Sequence, residues 1–148
     1  VDNRPGGNTF IGPEIVAKSP PDGYTFLLMS LDHLIITQLV AAPYNPIKDF
    51  APVGTLASFD FILVLHPSLP ANNLQEFIAL AKSRPGQLNY ASPSSGTVPH
   101  LAGELFNINM GVKMQHIPYR GGGPALTDLV GGQVQLYFLR FGVAPPTP

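Results

Sequence analysis

The chain has 148 residues, 45% of them hydrophobic, enough to build one domain or a domain and a half around a real core. Only 11% are charged and the net charge is -1, so no basic stripe exists to neutralise phosphates, which argues against nucleic acid as the main partner. Fifteen glycines and 17 prolines, about a fifth of the chain against a usual eighth or so, exclude long helices and coiled coils. With no cysteine there is no disulfide, thiolate metal site or cysteine nucleophile.

In chain order, Ile11, Ile15 and Ala17 predict a short helix, and Pro20-Pro21-Asp22-Gly23 a turn. Tyr24–Ser30 is short and continuously apolar, as expected of a buried strand, and Leu34, Ile35, Gln38 and Leu39 predict a helix after it. Three prolines (43, 46 and 52) punctuate an extended connection, and Phe59–His66 reads as a second buried strand ending at Pro67. The longest apolar stretches, around Phe61–Leu65 and Leu34–Ala42, fall well short of the roughly 20 residues that span a bilayer. The start, Val1-Asp2-Asn3-Arg4-Pro5, has neither an initiator Met nor an apolar leader, so any signal peptide is expected to be missing or removed.

From residue 58 the alternation is regular. Asn73 can cap a helix whose third residue is Glu76, with Leu74, Phe77, Ile78 and Ala81 on one face and Pro85-Gly86 ending it. Leu88–Ser92 reads as a strand. The turn Pro93-Ser94-Ser95-Gly96 leads to Thr97 as N-cap of a helix in which Val98, Leu101, Ala102, Leu105 and Phe106 recur with helical spacing; Val98, Leu101, Leu105 and Phe106 are expected in the core. Val112–Tyr119 predicts a strand, Ala125, Leu126, Leu129 and Val130 a short helix stopped by Gly131-Gly132, and Val134–Phe138 a last strand. Strands alternating with helices imply an α/β fold with a mainly parallel sheet covered on both faces.

In such a sheet ligands bind beyond the carboxyl ends of the strands, where helix N-termini offer free N–H groups and partial positive charge. Two segments fit. Ser94, Ser95, Gly96 and Thr97 follow a strand and open a helix, with His100 in its first turn; Tyr119-Arg120-Gly121-Gly122-Gly123-Pro124 does the same for the next strand. Either loop alone is more readily an ordinary capped helix start, and finding two side by side weakens that reading. Ser30 and His33 follow the first predicted strand and offer a hydroxyl and an imidazole, the competing reading being a plain Asp32 helix cap. No serine lies in a G-x-S-x-G elbow, so a hydrolase is disfavoured. His33, His66, His100 and His116 lack metal-ligand spacing, and His66 and His116 sit at strand ends where a hydrogen-bonded structural role is expected. The glycine runs match no nucleotide motif, so neither metal nor cofactor is expected.

Seven blocks, in order, resemble a known family: NRPGGN at 3–8, PPDGYT at 20–25, KDFAP at 48–52, HPSLP at 66–70, RPGQLNY at 84–90, HLAGELF at 100–106 and PYRG at 118–121. Together they are similar to the Bug family, the extracytoplasmic solute receptors of tripartite tricarboxylate transporters, from residue 1 to about 138. The resemblance implies a periplasmic binding protein-like (type II) fold with three-layer α/β/α lobes, closing on a small carboxylate such as an organic acid or acidic amino acid. It also implies periplasmic location, delivery of the ligand to membrane transporter subunits, and no catalysis. Carried over, ligand contacts fall on Ser94, Ser95, Gly96 and Thr97, and on Ser30 and His33.

Family members are about twice as long, and their first strand and the loop after it lie upstream of Val1. The expected organisation is therefore incomplete: a partial first lobe over 1–57, a second lobe over 58–138 and a divergent tail over 139–148, of which Arg140–Pro148 is expected to form no paired central strand. Dicarboxylates are expected to bind weakly or undetectably. The alternative reading is a self-associating interaction module derived from such a receptor, pairing with another copy through uncovered apolar surface.

Overall fold

The structure, a computed structural model, describes residues 1–4 and 9–141; the NRPGGN block from Pro5 to Asn8 and the tail from residue 142 lie outside the described residues. Its contacts divide the chain into two compact units, Val1–Gly54 and Thr55 onward.

The first unit holds helix α1 (Ile11–Ala17) and helix α2 (Leu31–Leu39). Its centre is Tyr44, 6% exposed, with the Phe10 and Phe50 rings edge-on to it at 5.8 and 5.7 Å. The 45–49 turn is tied by the Asn45 carboxamide, which accepts from the N–H groups of Ile47 and Lys48, and by Asp49, which accepts from Asn45 N–H. Tyr24–Ser30 is not a strand, contrary to its apolar pattern: Tyr24, Phe26 and Leu28 are 88%, 69% and 76% exposed. A strand needs a neighbour to complete its hydrogen-bond ladder, and this unit contains no other strand among the described residues.

The second unit is an α/β domain of β1 (Asp60–Leu65), α3 (Leu74–Ser83), β2 (Asn89–Ser92), α4 (Val98–Met110), β3 (Gln115–Pro118), α5 (Gly122–Val130) and β4 (Leu136–Phe141). Strand order is β1-β4-β2-β3, with β2 parallel to both its neighbours and β1 antiparallel to β4. The sheet is thus mixed, because β1 enters from the edge where the other strands leave. Asp60 and Phe61 pair with Phe141 and Arg140, so the tail expected to stay unpaired enters the ladder as far as Phe141. Its prolines begin only at 145, and Leu139-Arg140-Phe141 is good strand sequence whose Arg140 guanidinium lies 4.0 Å over the Phe59 ring.

The connection β2→α4→β3 steps toward one edge and β3→α5→β4 steps back across β2. Right-handed crossovers in opposite directions place their helices on opposite faces. One core cluster accordingly packs Phe77 and Ala81 of α3 and Phe106 and Met110 of α4 on Leu88, Tyr90 and Leu136. The other packs Ala125 and Leu129 of α5 on Ala91, Val134 and Tyr137. Helix α3 follows its sequence pattern, with Asn73 accepting from Glu76 N–H at 2.9 Å as N-cap.

Helix α4 is rotated from the expected face. Leu105 is 58% exposed and Val98 and Leu101 are half-buried, while Pro99 and Gly103 are buried and Phe106 and Met110 pack on the core. The reason is Gly103: a Cβ there would stand 2.2 Å from Tyr90 Cε2, so the bare glycine lets the backbone rest on that ring.

Candidate functional site

The junction where crossovers depart to opposite faces lies between neighbouring β2 and β3, and there the two candidate loops meet. Tyr119 N–H donates to the Ser92 carbonyl and Gly121 N–H to the Pro93 carbonyl, both at 2.9 Å. Gly121 has φ +111° and Gly96 φ +80°, conformations that side chains rarely adopt, which explains glycine at both bends. Ser94, Ser95, Gly96, Thr97, His100 and Gly121 are thus gathered at one sheet edge.

The 93–97 loop is held from within. The hydroxyls of Ser92 and Thr97 both donate to the Ser94 carbonyl, at 2.9 and 2.7 Å. Gly96 N–H donates to His100 Nδ1 at 3.0 Å, so that amide already has a partner. Ser95 is exposed, Ser94 is partly exposed, and Gly96 and Thr97 are buried. Beyond the second loop, the Tyr119 hydroxyl donates to Asp128 of α5 at 2.7 Å; burial and this carboxylate push Tyr119 up to about 12.

Beneath the first loop lies a polar cluster that sequence reasoning left scattered. The rings of His100 and His116 stack with centroids 3.9 Å apart, and His116 Nε2 lies 2.6 Å from Ser92 Oγ. Tyr90, fully buried, donates to Glu104, and its hydroxyl also reaches the His100 carbonyl at 3.3 Å. Burial foremost, then the Glu104 carboxylate, pushes the Tyr90 phenol well above its usual range. Burial, then the neighbouring His100, lowers His116 to about 4, with Glu104 opposing. Two periodicities could have found the cluster. His100 and Glu104 are four apart on one helix, while Tyr90 and Ser92 are two apart on one strand, with His116 the register partner of Tyr90.

Ser30 and His33 lie in the first unit, where they close on each other: Ser30 is the N-cap of α2 and its N–H donates to His33 Nδ1 at 3.1 Å. The cap of α2 is therefore Ser30 rather than Asp32. His66 takes a local structural role, its Nδ1 lying 2.8 Å from the Ser68 hydroxyl. Among the described residues no three of His, Cys, Asp or Glu gather as a metal-binding group, and no helix is long and apolar enough to cross a membrane.

The charge pattern of the helix starts singles out these two loops. The first turns of α1, α2 and α3 carry Glu14, Asp32 and Glu76, the usual acidic partners of a helix N-terminus. The first turns of α4 and α5 carry none, and the one charged side chain within 93–97 and 119–124 is that of Arg120. An anion arriving there meets two first turns that carry no carboxylate of their own.

Known proteins resemble this chain over most of its length. The family model of tripartite tricarboxylate transporter receptors matches residues 1–146. Protein BugT of Bordetella pertussis is 38% identical over 137 residues, covering 90% of this chain and 42% of BugT. Among solved structures, a Rhodopseudomonas palustris protein with adipate is 36% identical with a TM-score of 0.88, covering 94% of this chain and 47% of that one. The periplasmic binding protein BugD is 32% identical with a TM-score of 0.81, over 92% of this chain and 46% of BugD. MatC from Rhodopseudomonas palustris with bound malate is 27% identical with a TM-score of 0.71, over 89% of this chain and 46% of MatC. The chain therefore has the α/β fold of periplasmic binding proteins and spans under half the length of these relatives.

Proposed function

The chain belongs to the tripartite tricarboxylate transporter receptor family, and on that premise we propose that it is part of a solute receptor that binds a small carboxylate at the loops opening α4 and α5. The observation that carries this reading is the convergence of two helix starts without acidic first turns at the β2/β3 junction, lined by Ser94, Ser95, Thr97 and Gly121. Relatives solved with adipate and with malate support a small carboxylate as the ligand class and make these two dicarboxylates the first probes. The receptor acts in the periplasm, hands its ligand to membrane transporter subunits and performs no catalysis; the functional change is closure of the binding protein around the solute, favoured by contacts made in the closed state.

Titration of the labelled chain with adipate and malate, followed by NMR so that millimolar binding is visible, tests this reading. Amides of residues 94–97 and 121 should shift. Ser95→Asp, which adds a negative charge at an exposed position before α4, should weaken binding about 2- to 5-fold, the equivalent of 0.3–1 kcal/mol at a helix end. Equal affinity in the variant, or shifts confined to other loops, refutes the site.

A second reading, a self-associating module, is favoured by the exposed Tyr24, Phe26 and Leu28 side chains. It requires concentration-dependent light scattering without any carboxylate effect; a monomer at all concentrations refutes it.

A further inference from the structure

The polar cluster under the 93–97 loop touches that loop at two points. From one side, His100 Nδ1 accepts the Gly96 N–H at 3.0 Å. From the other, His116 Nε2 meets Ser92 Oγ at 2.6 Å, and that hydroxyl donates to the Ser94 carbonyl. These partners dictate the tautomers. With its proton on the Ser94 carbonyl, the Ser92 oxygen is free to accept, which fits His116 with its proton on Nε2. Because His100 Nδ1 accepts from an amide, its proton is on Nε2 and the ring is neutral.

We propose that His100 is a positioning residue for the ligand loop: the neutral, stacked His100–His116 pair latches Gly96 and Ser94 in place, and protonation of His100 releases the latch. A proton on His100 Nδ1 would turn the acceptor of the Gly96 amide into a donor pointing at a donor. The Gly96 bend, at φ +80°, would then lose the bond that holds it. Two imidazolium rings at 3.9 Å repel, so the pair takes up one proton before a second. Burial, then the neighbouring His100, holds His116 down at about 4. The other titratable groups facing the pair are Tyr90 of β2, its ring 5.0 Å from that of His116, and Glu104 of α4, which accepts from Tyr90. The Glu104 carboxylate favours one positive charge nearby. The latch gives pH a route to the loop that Proposed function assigns to the ligand, and its functional meaning rests on that reading.

Hydrogen exchange at the Gly96 amide, with the ring nitrogens of the histidines followed by NMR, tests the latch in the whole chain without ligand. Between pH 7.5 and pH 5 the Gly96 protection factor should fall at least about tenfold further than those of α3 amides, which report the stability of the whole unit, and in step with protonation of His100. His100→Phe keeps the aromatic stack but has no acceptor, and should lose Gly96 protection at both pH values. His100→Asn, with an acceptor near the Nδ1 position and no titration, should retain protection at both. Protection that persists in His100→Phe, or that is independent of pH in the parent, overturns the proposal. Should His100→Phe lose its α3 protection and prove unfolded, His100→Asn decides: Gly96 protection that still falls with pH in that variant overturns it too. Since no carboxylate enters the measurement, a failed dicarboxylate titration leaves the latch standing, and a failed latch leaves that titration standing.

Discussion

Gly103→Ala is the most direct probe of how α4 sits on the sheet. In an open helix interior this change stabilises by up to about 1 kcal/mol, because alanine is the better helix former. Here the added Cβ would lie 2.2, 2.5 and 2.7 Å from three ring carbons of Tyr90, where ordinary contact begins near 3.4 Å. About 1.2 Å of clearance is missing, and Tyr90, fully buried, has no empty space to enter. Either α4 lifts off the sheet or the ring swings away and breaks its hydrogen bond to Glu104. Overpacking of this kind costs about 1–3 kcal/mol, and breaking a bond to a charged group adds about 1.5–3 kcal/mol. After subtracting the helix-propensity gain, a net loss of about 1.5–5 kcal/mol is expected, a drop of about 3–20 °C in melting temperature at this chain length. Urea denaturation followed by circular dichroism, beside Gly123→Ala as a control with nothing within 4 Å of its Cβ, measures the difference. Gly123→Ala should be neutral or slightly stabilising. A Gly103→Ala protein as stable as the parent would show that α4 does not rest on Tyr90, and the rotated helix face described above would be wrong.

Acid should weaken the second unit through His116. Its folded value of about 4 lies below its ordinary 6.5, so the unfolded chain binds the extra proton between those values; stability is full above pH 6.5 and is lost as pH falls toward 4. The loss is about 1–2 kcal/mol once solvent screening of a part-exposed ring is allowed for. Urea midpoints from pH 7 to 4.5 check it, and an unchanged slope in His116→Phe refutes the assignment. Phe77→Ala removes a ring with no exposure, packed 5.8 Å from that of Phe106, and should cost about 3–5 kcal/mol in the same assay. A cost below about 1 kcal/mol would mean that α3 is not seated on the core.

Local rules sufficed where an element depends on its own residues. The Asn73 cap with Glu76 three positions on, the glycines at 96 and 121 and the β–α alternation after residue 58 are written in neighbours a few positions apart, and the second unit follows them. The same holds for the two loops at the β2/β3 junction, because a helix placed after a parallel strand must begin at the sheet's carboxyl edge. Family membership was legible too, since seven short blocks in order are hard to match by chance and the family model matches residues 1–146.

What failed to show in the sequence depends on partners distant along the chain. Tyr24–Ser30 has strand composition but, among the described residues of its unit, no strand to pair with, and a hydrogen-bond ladder is a property of two segments. Spacing along α4 offered Leu101 and Leu105 as a core face, but the helix turned to set Gly103 on Tyr90, a contact 13 residues away that depends on ring size and the absence of a Cβ. Arg140 and Phe141 entered the ladder because β1 runs antiparallel beside them, which no window around residue 140 contains. His100 and His116 stack because α4 and β3 pack on one face of the sheet, and that packing makes a cluster of residues which along the chain are isolated polar positions. Helix and strand periods say which residues share a face; which face is buried, and what meets there, follows from the sheet order and from how closely each backbone can approach its neighbour.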